Sequence, residues 1–120
     1  MNWQRNQTPN KYAEYLLSYR PLMAEDNPSG ERAYILQDAE RYAVQMKLIG
    51  EWIAKKGGAI RVLDVGCYPG HLAMLLRHFY DAEVTGVGIT SDQHFMRRML
   101  DCNINFKQQD VEKEPLPFPD

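Results

Sequence analysis

IRVLDVGCYPG, residues Ile60 to Gly70, begins as an apolar run interrupted by one acid, Asp64, and closes in a turn bounded by Gly66 and Gly70. The stretch HLAMLLRHFY, His71 to Tyr80, follows with helical composition. A strand that turns on glycines into a helix suits a nucleotide. Glycine lacks a Cβ and accepts positive φ, so backbone N–H groups can approach a ligand closely, and the helix N-terminus adds positive potential. Tyr68 stands where a third glycine would be expected.

C-terminal to this run the chain alternates: strand Ile60 to Val65, helix His71 to Tyr80, strand Glu83 to Val87, helix Ser91 to Cys102, strand Ile104 to Gln108. Such alternation predicts a parallel sheet, with right-handed crossovers placing the second and third strands successively outward. Val62, Leu63 and Val65 around a single charge suit a central strand covered on both faces. Thr90 and Gln93 have the spacing of a capping box for the second crossover helix.

On the N-terminal side, Lys11 to Arg20 predicts a short helix with Tyr12, Tyr15, Leu16 and Tyr19 at helical spacing, stopped by Pro21 after a frayed start over residues 1–10. Pro21, Asn27, Pro28, Ser29 and Gly30 mark a loop. A long helix then spans Glu31 to Lys56, where Ile35, Ala39, Tyr42, Met46, Ile49 and Ile53 make one apolar stripe ended by Gly57 and Gly58. The chain thus divides into an N-terminal helical segment, residues 1–57, and an incomplete Rossmann-like α/β unit, residues 58–120, whose tail with Pro115, Pro117 and Pro119 is extended. A central first strand needs neighbours on its second edge. The chain is therefore expected to be the front part of a longer protein and to self-associate in isolation through the open sheet edge.

Composition bounds the function. With 120 residues, 44% hydrophobic and 25% charged, the chain suits a single core. A formal net charge of −2 gives no support to a nucleic-acid backbone binder, which would carry a basic stripe. Cys67 and Cys102 lie far apart without CxxC spacing, so neither zinc nor a disulfide framework is suggested and reduced thiols fit a cytosol. No run of about 18 apolar residues and no signal peptide is present, so a soluble cytoplasmic protein is expected. His71, His78 and His94 form no metal-ligand pattern, and His71 reads as a surface residue. Arg97, Arg98 and Lys107 read as scattered charges of a solvated face.

The glycine pattern narrows the ligand. A dinucleotide fingerprint would place glycines at positions 66, 68 and 71, and only Gly66 fits; a phosphate loop would need Lys-Ser or Lys-Thr after Gly70, and none follows. Three blocks in order, VLDVGCYPGHLAMLL, AEVTGVGITSDQ and NINFKQQDVEKEPLPFPD, resemble the S-adenosylmethionine-dependent class I methyltransferases over residues 60–120. The resemblance implies a Rossmann-like fold, S-adenosylmethionine as cofactor and methyl transfer to an acceptor, a small molecule being favoured. It also implies that Asp64, Gly66, Cys67, Tyr68 and Gly70 form the turn against the methionine and ribose part, with the Tyr68 ring lining or partly covering the pocket. Ile89 would offer an apolar surface to adenine, Asp110 would accept from the adenine amino group, and the Val111 backbone would address the ring edge.

Two positions depart from the family pattern. Tyr68 replaces a glycine and would be strained if the position required positive φ. Gly88 occupies the end of the second strand, where relatives carry an acid that binds both ribose hydroxyls. Hydrogen bonds to a charged group contribute about 1.5 to 3 kcal/mol, so its loss would weaken binding by about one to two orders of magnitude. Asp92 reads chiefly as an acid favouring the next helix dipole, with a water-mediated reach to the ribose as the alternative. No residue is assignable as a catalytic base. The rival reading is a non-catalytic remnant or interaction module with a degenerate cofactor site.

Overall fold

A computed structural model of the protein describes residues 10–19, 28–90, 92–110 and 112–113. The expected start over residues 1–9, Pro21, Ser91, Val111 and the proline-rich tail lie outside the described residues. Three helices precede the alternating part: α1 (Lys11–Ser18), α2 (Pro28–Gln37) and α3 (Ala39–Lys56). They are followed by β1 (Arg61–Val65), α4 (His71–Tyr80), β2 (Glu83–Gly88), α5 (Gln93–Asp101) and β3 (Asn105–Gln108). The sheet is parallel in the order β1-β2-β3. The fold is α/β and Rossmann-like, as the alternation predicts.

The long helix expected over Glu31 to Lys56 is two helices, divided at Asp38. The hydrogen bonds Asp38 N–H to Tyr34 C=O and Tyr42 N–H to Asp38 C=O run through the division, and Arg41 pairs with the Asp38 carboxylate at 2.8 Å. The apolar stripe therefore continues across the break, with Ile35, Ala39, Tyr42 and Met46 all buried. Helix α2 begins at Pro28, inside the stretch read as loop, because a first-turn proline lacks only an N–H that has no helical acceptor there. Helix α1 is shorter than expected, ending at Ser18; Asn10 starts it by accepting from the Tyr12 and Ala13 amides, while its Nδ2 donates to Ala39 C=O at 2.7 Å.

The cap of α5 also differs. Asp92 is the N-cap, accepting from the His94 and Phe95 amides, and Thr90 Oγ1 instead accepts from the Asp92 amide. A carboxylate two residues closer to the helix outcompetes the Thr90 to Gln93 arrangement.

One core joins the helical segment to the sheet. Leu16, Ile35, Met46, Met74, Leu75, Leu76, Val84 and Met99 are fully buried within it. At about 1.5 to 3 kcal/mol for each large apolar side chain buried, these contacts dominate the favourable side of folding. Helix α4 lies between layers: it packs on β2 and, on its other side, on α1 and α3, with the Tyr12 and Phe79 rings edge to face at 4.9 Å and Tyr15 stacked on His78 at 4.0 Å. The N-terminal aromatics thus pack as core. The expectation that β1 is covered on both faces fails among the described residues. Alternation puts Leu63 and Val65 on one face, where they are 42% and 50% exposed, while Val62 and Asp64 are half-buried on the other.

Candidate functional site

The C-terminal ends of parallel strands converge where the chain leaves the sheet, and ligands of such folds bind in that crevice. Here β1 and β2 end in register, Val65 beside Val87, and Gly88 of β2 lies beside Gln108 of β3. A cleft of about 320 Å³ opens at this edge, lined by Val65, Gly66, Val87, Gly88, Ile89, Gln109, Asp110 and Glu112. Its volume lies at the lower end of the range for small-molecule sites, about 300 to 1,000 Å³. Larger depressions beside α5 and at the opposite end of the strands lack the glycine turn, so the convergence of strand ends, not size, selects the site.

Of the residues expected from the sequence, Gly66, Gly88, Ile89 and Asp110 line this cleft, whereas Asp64, Cys67, Tyr68 and Gly70 do not. Gly66 has φ 72°, and a Cβ built on it would meet nothing within 4 Å, so the requirement there is conformational and the space above is open. Gly70 has φ 88° and is packed as well: a Cβ would strike Met99 Cε and lie 3.2 Å from Phe95. These two glycines carry the left-handed geometry. Tyr68 is not among the residues with positive φ, so the strain considered for it does not arise. Its ring is 53% exposed and packs 5.1 Å from Phe95, with its hydroxyl 3.4 Å from the Asp92 carboxylate.

The expectation that the turn amides face a ligand needs correction for three of them. Gly66 and Cys67 N–H both donate to Val87 C=O, at 2.7 and 3.3 Å, and Gly70 N–H donates to Cys67 C=O at 2.6 Å. Backbone pairing takes these donors because the turn must be stitched to β2 and closed on itself. Helix α4, by contrast, has no side-chain N-cap, which leaves its first turn as the local source of positive potential.

Cys67 is buried under the turn, and burial with the neighbouring Asp64 pushes its thiol up to about 12. It is therefore an inert packing group. Burial also raises the Asp64 carboxyl above its usual range, partly offset by a hydrogen bond with Cys67. Asp92 is committed to capping α5. Asp110 accepts from Glu112 N–H at 3.0 Å and so organises a turn as well as lining the cleft. A Cβ on Gly88 would lie 3.7 Å from its nearest neighbour, an ordinary contact, so a side chain can start there without a clash.

Sequence reasoning missed Val65, Val87, Gln109 and Glu112 in the lining. The signal that finds them is positional, since each stands at or just beyond the carboxyl end of a strand. It also misplaced two charged residues. His71, read as a surface group, is 3% exposed, and Arg98, read as part of a solvated face, is 4% exposed. Both converge on Glu31 of α2: His71 Nε2 lies 2.9 Å and Arg98 Nη2 2.5 Å from Glu31 Oε1. Arg98 Nη1 donates to Pro69 C=O at 2.9 Å, and His71 Nδ1 lies 2.9 Å from the Tyr42 hydroxyl. The tautomer satisfying both partners has Nε2–H donating to Glu31 and Nδ1 accepting from Tyr42. Burial holds the His71 imidazole below its usual value despite the opposing pull of Glu31. Burial would raise Glu31, but hydrogen bonds from His71 and Arg98, with the Arg98 charge, outweigh it and keep the carboxyl below its usual range.

Among the described residues no group of His, Cys, Asp and Glu is arranged to hold a metal ion, and no helix is long and apolar enough to cross a membrane. Residues 43–120 match the family model described as methionine biosynthesis protein MetW. No curated protein matches the chain.

Proposed function

We propose a function that starts from kinship: this chain belongs to the MetW family, a methyltransferase-like family, and its cleft binds S-adenosylmethionine for methyl transfer to a small acceptor. The observation that carries the reading is the convergence of all three sequence blocks on one cleft: Gly66 from the first, Gly88 and Ile89 from the second, Asp110 from the third. The open space above Gly66 fits a cofactor that approaches the backbone closely. Ile89, 69% exposed, offers an apolar platform for adenine, and Asp110 and Glu112 add acidic residues to the same lining.

When bound, the cofactor supplies an electrophilic methyl group; the chain's contribution is to hold it and exclude alternatives to an aligned acceptor. The family description, methionine biosynthesis, and the net charge of −2 favour a small-molecule acceptor over nucleic acid.

Calorimetric titration with S-adenosylhomocysteine tests the reading. Saturable binding with a Kd below about 1 mM is expected, and silence up to that concentration overturns it. A second reading, a scaffold that has lost the cofactor, is favoured by one observation: Gly88 gives the ribose no acid. Gly88→Asp separates the two, because a Cβ there makes only ordinary contacts and the added carboxylate should tighten an existing complex by about tenfold, while a cofactor-free scaffold shows no heat with either side chain.

A further inference from the structure

We propose that Glu31 is a positioning residue for the glycine turn, so that α2 belongs to the cofactor-binding apparatus; this rests on the cofactor reading above. The turn is held from behind at two points. Arg98 fixes the Pro69 carbonyl, and His71, the first residue of α4, is fixed between Glu31 and Tyr42. One carboxylate oxygen, Glu31 Oε1, receives both His71 and Arg98. Gly70, between those points, is seated against Met99 and Phe95 of α5. The direction of the Tyr68–Pro69 backbone and the start of α4 are therefore referred to a side chain from a separate helix.

Stability alone does not account for such an arrangement. Desolvating a carboxylate and a guanidinium offsets most of their attraction, and well-packed apolar side chains of similar volume would serve as well or better. What apolar groups lack is a directed N–H aimed at the Pro69 carbonyl and a charge that fixes the guanidinium's orientation. An error of about 1 Å in a binding backbone is enough to weaken a site substantially. Around His71, the titratable and charged groups are Glu31 and Tyr34 of α2, Asp38 at the α2–α3 division, Tyr42 of α3 and Arg98 of α5. A proton added to this imidazole would leave Tyr42 without its acceptor and place a second cation beside Arg98.

The test compares wild type, Glu31→Gln, Arg98→Met, the double variant and His71→Gln, reading S-adenosylhomocysteine affinity, amide hydrogen exchange without ligand, and thermal stability. Glu31→Gln and Arg98→Met should each weaken binding about tenfold, with the double no worse than the weaker single, as expected for members of one unit. Exchange should quicken at Tyr68 and the first turn of α4 relative to β2. Wild-type affinity should hold at neutral pH and fall only as the pH drops below about 6.5, and His71→Gln, which keeps an N–H toward Glu31 but does not titrate, should flatten that fall. Variants that lose thermal stability while keeping wild-type affinity and turn exchange would reduce the cluster to a packing anchor and overturn the proposal. Silence of the wild type toward S-adenosylhomocysteine removes the cofactor reading and this inference together; wild-type binding with unaffected Glu31→Gln removes this inference alone.

Discussion

Behind the glycine turn, the Glu31, His71 and Arg98 side chains are 12%, 3% and 5% exposed and hold one another within 2.9 Å. In front of it, Gly66, Gly88 and Ile89 line an open cleft in which the Gly66 backbone has no neighbour where a side chain would stand. The rear carries charge in low dielectric, every distance fixed by a partner from another element; the front is bare backbone with an apolar rim. That difference is what a ligand site requires, since a surface that must meet a ligand keeps its groups in place only if residues behind it are immobilised. It also predicts that the rear is sensitive to single substitutions and the front tolerant of them.

The largest test of that contrast is Glu31→Ala. Removing the carboxylate takes its anionic partner from a buried guanidinium, so a loss of about 3 to 5 kcal/mol is expected in urea unfolding. The exposed pair of Arg77 and Asp81 is the control: at Asp81, 93% exposed, Asp81→Asn should cost under about 1 kcal/mol. Equal losses at both sites would erase the distinction between rear and surface.

The pH dependence has the same origin. The folded-state value of His71 is below the usual 6.5, so the unfolded chain binds the extra proton first and stability falls as pH drops below about 6.5 toward the folded value. Glu31, also lowered, adds a second loss of the same sign below its usual 4.5. Thermal unfolding of wild type and His71→Gln across that window should diverge, and parallel curves would show that His71 does not titrate with folding.

Next come the two glycines with positive φ. Gly70→Ala combines left-handed strain with a clash against Met99 and should cost about 2 to 4 kcal/mol. Gly66→Ala meets no atoms and should cost only the conformational part, about 1 to 2 kcal/mol, while weakening S-adenosylhomocysteine binding more than Gly70→Ala does per folded molecule. A larger stability loss at Gly66 would mean that the front is as tightly built as the rear.

Much of the site was legible because its signals are local. Ile60 to Tyr80 shows a strand, a turn needing glycine and a helix in one uninterrupted stretch, and the two glycines with positive φ in that turn are those whose sequence positions called for it. The cap of α5 was misjudged because Thr90 and Asp92 are both good N-caps and only the chain path decides between them. His71 and Arg98 were illegible for a stronger reason. Nothing adjacent to either announces Glu31, which the fold brings to them from α2, a helix that packs on α3 as α3 packs on α4.

By itself, then, the sequence determined the alternation of strand and helix, the parallel order of the sheet and the glycine turn, because hydrophobic period and backbone conformation are properties of neighbouring residues. Tertiary structure alone decided which charges are buried, which turn amides are consumed by Val87 and Cys67, and which strand ends share a cleft. Burial and pairing depend on groups far apart in the chain, and only the folded core brings them within the few ångströms over which hydrogen bonds and desolvation act.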